Sequence, residues 1–300
     1  MALRVFWTPV GITLDTIREK RLVDISDGDT PNIRMNVRML SIDTPEKAPT
    51  GEIRNRTELQ DLFEDTAGWI ASGEAPVRPA LAAHLVPRLA RGDAVAAHLA
   101  QGARATAAHE ALVEEKLRRP SGTFRPLFVR VADERFDQYG RLLAYVAPSY
   151  TAEERRAMTR RERATFNLLM VARGWAASFP IFPSVPGEDD LPLLQAEAKA
   201  AVEAGLGAWA DPLMLTGYEF RMCERLAALR KAVRAGRRFD GPTWAGWIER
   251  YCCDIETAEI RAPQDYVRVA PWNRLFIWPR DVRRAVAELN LSPAGGLAGA

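Results

Sequence analysis

The sequence predicts an α+β fold, in which two strand-rich segments flank a long helical block and a mostly helical part follows. Segments rich in β-branched and apolar residues lie near positions 21–42 and 124–146, and each is interrupted by a tight turn, as in β-hairpins. Between them, apolar residues recur at helical spacing. With 300 residues, of which 47% are hydrophobic and 27% charged, the chain is long enough to bury a sizeable core.

The first predicted hairpin pairs a strand over Arg21–Ile25 with a second strand over Asn32–Ile42. The turn between them contains Asp27-Gly-Asp-Thr30, and Asp and Gly accept the backbone angles of tight turns. Pro31 has no N–H group to donate to a neighbouring strand, so it is expected at the start of the second strand.

The helical block extends over positions 54–114 and is expected to form two or three helices. Gly92 and Gly102 are predicted to interrupt it, and Pro120 follows its end. The residues that define its apolar face near the start are Leu59, Leu62, Phe63, Trp69 and Ile70.

The second predicted hairpin joins strands over 124–131 and 141–146 around the turn Asp137-Gln-Tyr-Gly140. A helix is then expected from Thr151, which forms a capping box with Glu154, to about Leu169, with Gly174 as its stop. The remaining predicted elements are helices over 191–203, 218–234, 242–254 and 279–289 and a strand over 266–278.

Composition excludes several classes of protein and leaves others open. The formal net charge of +2 neither requires nor excludes a polyanionic partner. The three cysteines and three histidines lack the spacing of zinc ligands, so we predict neither a zinc site nor a disulfide framework. Positions 1–14 lack the pattern of a signal peptide, and no run of about 18 apolar residues predicts a membrane span. A cytoplasmic protein is therefore expected.

Two acidic turns, Asp27–Thr30 and Asp43–Glu46, are the candidate functional feature, together with Arg38 and Arg141. Each fragment alone is typical of an ordinary hairpin turn, loop or exposed strand residue. Together they supply what metal-assisted hydrolysis of a phosphodiester needs. Asp29 and Asp43 provide oxygen ligands for a hard cation, Glu46 lies close enough in sequence to reach a bound water, and the arginines can grip phosphate oxygens bidentately.

The motifs resemble those of the staphylococcal nuclease-like (thermonuclease) family. The matching segments run from about Arg21 to Glu46 and from about Phe124 to Trp209. The motifs that carry the resemblance are Asp27-Gly-Asp-Thr30, Val37-Arg-Met-Leu-Ser-Ile-Asp-Thr-Pro-Glu46, Asp137-Gln-Tyr-Gly-Arg-Leu-Leu-Ala-Tyr145, Asn167 with Gly174, and Ala204-Gly-Leu-Gly-Ala-Trp209.

The resemblance implies a five-stranded OB-type β-barrel decorated with helices, in a domain over 1–212. A helical insertion at about 49–103 and a mostly helical C-terminal extension over 213–300 are additions to that domain. The implied activity is calcium-dependent hydrolysis of DNA and/or RNA, with products that end in a 3′-phosphate.

Site residues are carried over position by position as implications of the resemblance. The implied metal ligands are Asp29, Asp43 and the carbonyl of Thr44, with Asp27 in support. The implied catalytic residues are Arg38, Glu46 and Arg141, and the implied substrate contacts are Tyr139, Leu143 and Phe182. Gln138 replaces a family lysine, and Phe179 or Phe182 stands where the family has base-stacking tyrosines.

Several alternatives stay open at this stage. A catalytically silent OB-type module that binds nucleic acid or protein is the alternative to a nuclease, and it requires that the active site be blocked. Glu46 either takes a proton or orders the water loop. The insertion either gates the substrate or is a packed decoration, and the extension is a candidate docking unit for a protein partner. The oligomeric state and the endo or exo mode are also open.

Overall fold

The computed structural model describes residues 19–294, with the side chains of Asp133, Glu134 and Pro242 excepted. Positions 1–14, for which no signal peptide is predicted, lie outside the described residues. The chain mixes helices and sheets, as the sequence predicts.

The strands are β1 (Arg21–Asp27), β2 (Thr30–Arg34), β3 (Val37–Met39), β4 (Ile42–Asp43), β5 (Leu127–Phe136), β6 (Leu142–Pro148), β7 (Ala177–Ser178), β8 (Tyr251–Asp254), β9 (Glu259–Arg261), β10 (Arg274–Ile277) and β11 (Ser292–Pro293). The α-helices are α1 (Arg56–Ala71), α2 (Pro79–Leu89), α3 (Ala94–Leu117), α4 (Ala152–Ala157), α5 (Phe166–Ala172), α6 (Asp190–Glu203), α7 (Gly217–Arg234), α8 (Gly241–Ala245) and α9 (Val282–Leu289).

The N-terminal strands form three separate sheets. Strands β1 and β2 pair only with each other, β3 and β5 flank β6, and β4 pairs with β7. Both predicted hairpins are present, but the predicted single strand over Asn32–Ile42 is divided into parts of β2, β3 and β4. Ser41, between β3 and β4, has a φ of 61°. This left-handed backbone conformation changes the direction of the chain, so that β4 does not continue β3.

Within the described residues these strands do not close into the five-stranded barrel that the resemblance implies. Because β1 pairs with β2 alone, apolar side chains on β1 and on β5 remain exposed to solvent. These side chains are Leu22, Val23, Ile25, Leu127 and Phe128.

The predicted insertion at about 49–103 contains α1, α2 and the first part of α3, which continues to Leu117. Asn55 caps α1 by accepting a hydrogen bond from the Glu58 N–H. The predicted interruption at Gly92 is confirmed, since this residue lies between α2 and α3 with a φ of 65°. The predicted interruption at Gly102 is wrong, because Gly102 lies inside α3. Its missing side chain serves packing instead: a Cβ there would lie 2.2 Å from the Glu46 carbonyl oxygen.

The predicted helix from Thr151 to Leu169 is two short helices, α4 and α5. Its capping box with Glu154 is confirmed. A second cap explains the division, because the Thr165 side chain accepts from the Leu168 N–H and starts α5 anew. The chain leaves α5 at Gly174, as predicted.

The C-terminal extension contains a sheet that the sequence analysis missed. Its strand order is β10-β8-β9-β11. The predicted helix over 242–254 is wrong: α8 ends at Ala245, and Cys252 and Cys253 lie buried in β8. Only β10 forms from the predicted strand over 266–278, because Pro271 begins a 3₁₀ turn immediately before it.

The insertion and the extension share one hydrophobic core, and α7 crosses it. Buried residues of this core come from α1, α2, α3, α7 and later elements of the extension, and include Leu59, Phe63, Leu85, Phe220 and Tyr266. A second core lies under β6, α5 and α6. This packing fixes α7 beside the segment that follows β4. No helix within the described residues is both long and apolar enough to cross a membrane.

Candidate active site

The centre of the candidate site is Asp43, at the end of β4. Its side chain is 1% exposed, and its Oδ1 lies 3.2 Å from Nη2 of Arg38 on β3. Strand β4 is held by antiparallel pairing with β7, in which Asp43 lies opposite Ala177. The structure therefore brings together Arg38, Asp43 and, in the next turn of chain, Thr44 and Glu46.

A further arginine, which the sequence analysis did not assign to the site, lies on the same carboxylates. Nη2 of Arg221 is 2.9 Å from Asp43 Oδ1, and its Nη1 contacts Glu46 Oε1. Arg221 comes from the first turns of α7, about 175 positions after Glu46 in the chain. The sequence predicts a basic helix there, but no local motif distinguishes Arg221 from the other cations of that helix.

The two carboxylates respond differently to this environment. Burial opposes the charge of Asp43, but the guanidinium groups of Arg221 and Arg38 outweigh it and hold the pKa of Asp43 below its ordinary value. Burial raises the pKa of Glu46 above its ordinary value, although Arg221 favours the charged form. Asp43 is thus the firmly ionised member of the pair, and Glu46 accepts a proton more readily than an exposed glutamate.

The backbone of Glu46 is fixed by α3. Its N–H donates to Nε2 of His98, at 2.9 Å, and its carbonyl packs against Gly102. Since an N–H group can only donate, Nε2 must be the unprotonated nitrogen of a neutral ring. Nδ1 then carries the proton and donates to the Leu215 carbonyl at 3.1 Å. His98 therefore joins the insertion, the acidic turn and the start of the extension.

Helix α7 is anchored on the site by its own glutamates. Thr216 and Glu219 form a capping box at its N-terminus. The buried Glu219 also accepts from the hydroxyl of Tyr266, at 2.9 Å. One turn beyond Arg221, Glu224 accepts from the Thr50 N–H at 2.7 Å. The Glu219 contacts fix the start of α7, and the Glu224 contact holds the helix against the segment that follows the acidic turn.

The other acidic turn lies on the exposed hairpin β1–β2. The Asp29 N–H donates to Asp27 Oδ1 at 3.4 Å, and the Thr30 hydroxyl donates to Asp29 Oδ1 at 3.1 Å. Hydrogen bonding within this turn, with Thr30 and with Asp29, lowers the pKa of Asp27 below its ordinary value. Within residues 19–294, no hydrogen bond or ion pair joins this turn to Asp43. The structure therefore does not bring Asp29 onto the same centre.

Leu143 lies on β6, the strand beside Arg38, and Arg141 lies immediately before β6. In the parallel register Arg38 is opposite Leu143, so these two side chains lie on one face of the sheet. The guanidinium of Arg141 is engaged by Asp137, whose Oδ2 lies 2.6 Å from its Nε. It also lies 5.3 Å above the exposed ring of Tyr139.

The two phenylalanines considered for base stacking are both buried. Phe182 is 3% exposed and packs in a core of the extension, and Phe179 is 4% exposed. A ring without an exposed face cannot stack on a nucleobase. In this structure the implied contact of Phe182 with substrate is thus replaced by core packing.

Two oxygens of the site have the chemistry and spacing of ligands for a hard cation. Asp43 Oδ2 is buried without a hydrogen-bond partner among the described residues. Gly217 has no Cβ, and a Cβ added there would lie 2.3 Å from the Thr44 carbonyl oxygen and 2.6 Å from Asp43 Oδ2. A point at that position is therefore as far from both oxygens as calcium is from its oxygen ligands, about 2.3–2.6 Å.

The space that such a cation would need is filled by α7. The point that lies at these distances from the two oxygens is only one bond length, about 1.5 Å, from the Cα of Gly217, which is too close for a cation. On the other side of Asp43, the space toward Glu46 holds the guanidinium of Arg221. Within the described part of the chain, no three His, Cys, Asp or Glu side chains cluster as metal ligands. The oxygens fit a cation, but the arrangement leaves it no room.

The ion pair Arg38–Asp43 lies on two short strands, and Arg141 lies immediately before the strand that pairs with β3. This combination is typical of a nuclease-type nucleic-acid domain. A family model described as staphylococcal nuclease homologue matches residues 36–211, more than half of the chain, and the protein belongs to this family. The match begins after the hairpin that carries Asp29 and ends before α7 with Arg221. A search of curated proteins found no match.

Proposed function

We propose that this protein is a calcium-dependent nuclease that hydrolyses phosphodiester bonds of DNA and/or RNA and leaves 3′-phosphate ends. The observation that carries the proposal is the geometry around Asp43: it is ion-paired with Arg38, lies beside Glu46, and keeps one buried oxygen unpaired next to the Thr44 carbonyl. A buried, unpaired carboxylate oxygen is costly, so its retention supports a role in binding.

Each residue has a role in this proposal. Asp43 and the Thr44 carbonyl, with Asp29 from the hairpin, would hold the cation, which when bound supplies a Lewis acid and lowers the pKa of a bound water. The raised pKa of Glu46 suits a group that takes a proton from water. Arg38 and Arg141 would bind the phosphate oxygens as negative charge accumulates.

Three rearrangements are required for this chemistry. The first turns of α7, which carry Arg221, must give up space beside Asp43 so that the cation can bind. Arg141 must exchange Asp137 for a phosphate, which its position at a hairpin permits because its side chain is 37% exposed. Hairpin β1–β2 must approach Asp43 to deliver Asp29. The apolar side chains exposed on β1 and β5 support such an approach, since burying them against each other would be favourable and would extend the sheet toward the OB-type barrel.

A second candidate function is a catalytically silent module that binds nucleic acid or protein. The observation that favours it is Arg221, which neutralises both Asp43 and Glu46 from within the chain. In that case the carboxylates serve to attach the extension to the nuclease-like domain. The three cysteines are free and buried, which supports our expectation of a reducing, cytoplasmic environment for either function.

The two functions are separated by a cleavage assay on the full chain. Labelled single-stranded DNA and RNA are incubated with calcium, with a chelator, and with the Arg38→Ala and Arg141→Ala variants. A nuclease cleaves only in the calcium arm and loses most of its rate in both variants, since removing one donor to the transition state costs about 10²–10³ in rate. No cleavage with calcium or any other divalent ion, together with retained nucleic-acid binding, would establish the silent module.

A further inference from the structure

Arg221 occupies the place of a cation between two carboxylates. Its guanidinium spans Asp43 Oδ1 and Glu46 Oε1, and ionised carboxylates offer only acceptors. Two such groups that share a partly buried site need a positive charge between them. In this structure the chain itself supplies that charge, from a helix outside the segment that the family model matches.

Two parts of α7 fill the site, and they differ in how readily they can leave. Gly217 presents its main chain, which is fixed by the Thr216–Glu219 capping box and by the hydrogen bonds of Glu224 to the segment at Thr50. Arg221 presents the end of a long side chain that is 22% exposed. Rotation of that side chain into solvent frees the space between Asp43 and Glu46 without moving the helix.

A guanidinium and a divalent cation cannot share this space, because they would repel each other at contact distance. When the binding-competent form of a site is only partly populated, the apparent dissociation constant rises by the inverse of that population. We propose that Arg221 is an internal competitor of a divalent cation for Asp43 and Glu46, so that the C-terminal extension sets the cation affinity of the site. This inference rests on the proposed function for its biological use, but its test does not.

The test is isothermal titration of the metal-free full chain with calcium chloride. Removing the competing charge in Arg221→Gln should tighten calcium binding by at least about tenfold relative to the natural chain. Arg221→Lys keeps a positive charge, so its affinity should stay closer to that of the natural chain. Arg225→Gln, one turn further along α7 and paired with Glu249 at 4.0 Å, is the matched control and should not change affinity. Adding Asp43→Asn to Arg221→Gln should abolish the gain.

Equal calcium affinity in the natural chain and in a folded Arg221→Gln variant would overturn the proposal. If Arg221→Gln does not fold, a second measurement decides. The arginine Nε–H NMR signal of Arg221, assigned with Arg221→Lys, should shift when calcium saturates the natural chain, and an unchanged signal would refute competition.

Cleavage assays on the same samples separate this inference from the proposed function. A gain in calcium affinity without cleavage would support competition and defeat the nuclease proposal. Calcium-dependent cleavage by the natural chain, with no gain in affinity in Arg221→Gln, would do the reverse.

Discussion

Acid is expected to destabilise this protein through His98. The ring is 2% exposed, stacks on Phe220 with 3.9 Å between ring centroids, and is neutral, because Nε2 accepts from the Glu46 N–H. Protonation of Nε2 would place its new N–H group against the N–H group of Glu46, so this hydrogen bond could not form. Burial lowers the pKa of His98 from 6.5 to about 3. The unfolded chain therefore takes up this proton first, and stability is full above the unfolded pKa and falls as pH drops toward the folded value.

The size of the effect follows from the difference in pKa. Each pH unit between the two pKa values costs about 1.4 kcal/mol, so the share of His98 in the loss between pH 7 and pH 5 is about 2 kcal/mol. The assay is urea unfolding at both pH values, followed by tryptophan fluorescence, for the natural chain and for His98→Gln. Glutamine keeps an oxygen that can accept from the Glu46 N–H but does not titrate.

The variant should lose about 2 kcal/mol less than the natural chain on acidification, by the same linkage. Comparing the two removes the contributions of other titrating groups, including Glu46, whose raised pKa works in the opposite direction. His109→Gln is the matched control on the same helix, since the side chain of His109 is only half-buried. Parallel pH dependence of the natural chain and His98→Gln would refute the assignment of a buried neutral ring.

Two further predictions concern buried polar residues that hold the site. Asn167→Ala should lower the free energy of unfolding by about 3 kcal/mol, because Asn167 accepts from the Val146 N–H at 3.0 Å and donates to the Leu40 carbonyl at 2.8 Å, and both groups would be left unpaired; a loss below about 1 kcal/mol in urea unfolding would contradict this. Glu219→Gln should cost about 3–5 kcal/mol at pH 7. Burial opposes the charge of Glu219, but the hydrogen bond from His84 helps to hold its pKa below the ordinary value, so its stabilisation is present above the unfolded pKa and is lost as pH falls through the folded one. The variant should therefore show a weaker loss of stability in acid than the natural chain, and an equal loss would argue against an ionised Glu219.

Local sequence signals predicted most of the elements around the site. The hairpin turns, the Thr151 capping box and the α6 helix depend on residues within a few positions of one another, and each is found. The residue pair Arg38–Asp43 follows for the same reason, since both lie on adjacent short strands of one motif. The errors arise where tertiary contacts decide. Glycine is typical of a helix break, but Gly102 lies inside α3, where its lack of a side chain lets the helix pack against the backbone of Glu46.

The extension shows the same limit on a larger scale. The segment 242–254 has tryptophans at helical spacing, but the pairing of β8 between β9 and β10 draws Cys252 and Cys253 into a sheet. The strands that pair with β8 come later in the chain, and their register depends on contacts between distant residues. The residues of 242–254 alone do not contain this information. The division at 212/213 and the role of 213–300 as a docking unit stay predictions. Residues 215–229 already pack into the core shared with the insertion.

A family motif specifies which groups can perform a reaction, whereas the charge state of a site depends on everything packed around it. Asp43 and Glu46 are both present at their motif positions, so the sequence alone predicts a cation site. Arg221 alters that prediction from outside the matched segment, because electrostatic interactions follow distance in space and not along the chain. Its position is determined in turn by the shared core, the Glu219 cap and the Glu224 anchor, none of which belongs to the motif. The hydrophobic packing of the additions to this domain therefore sets the electrostatics of its candidate active site.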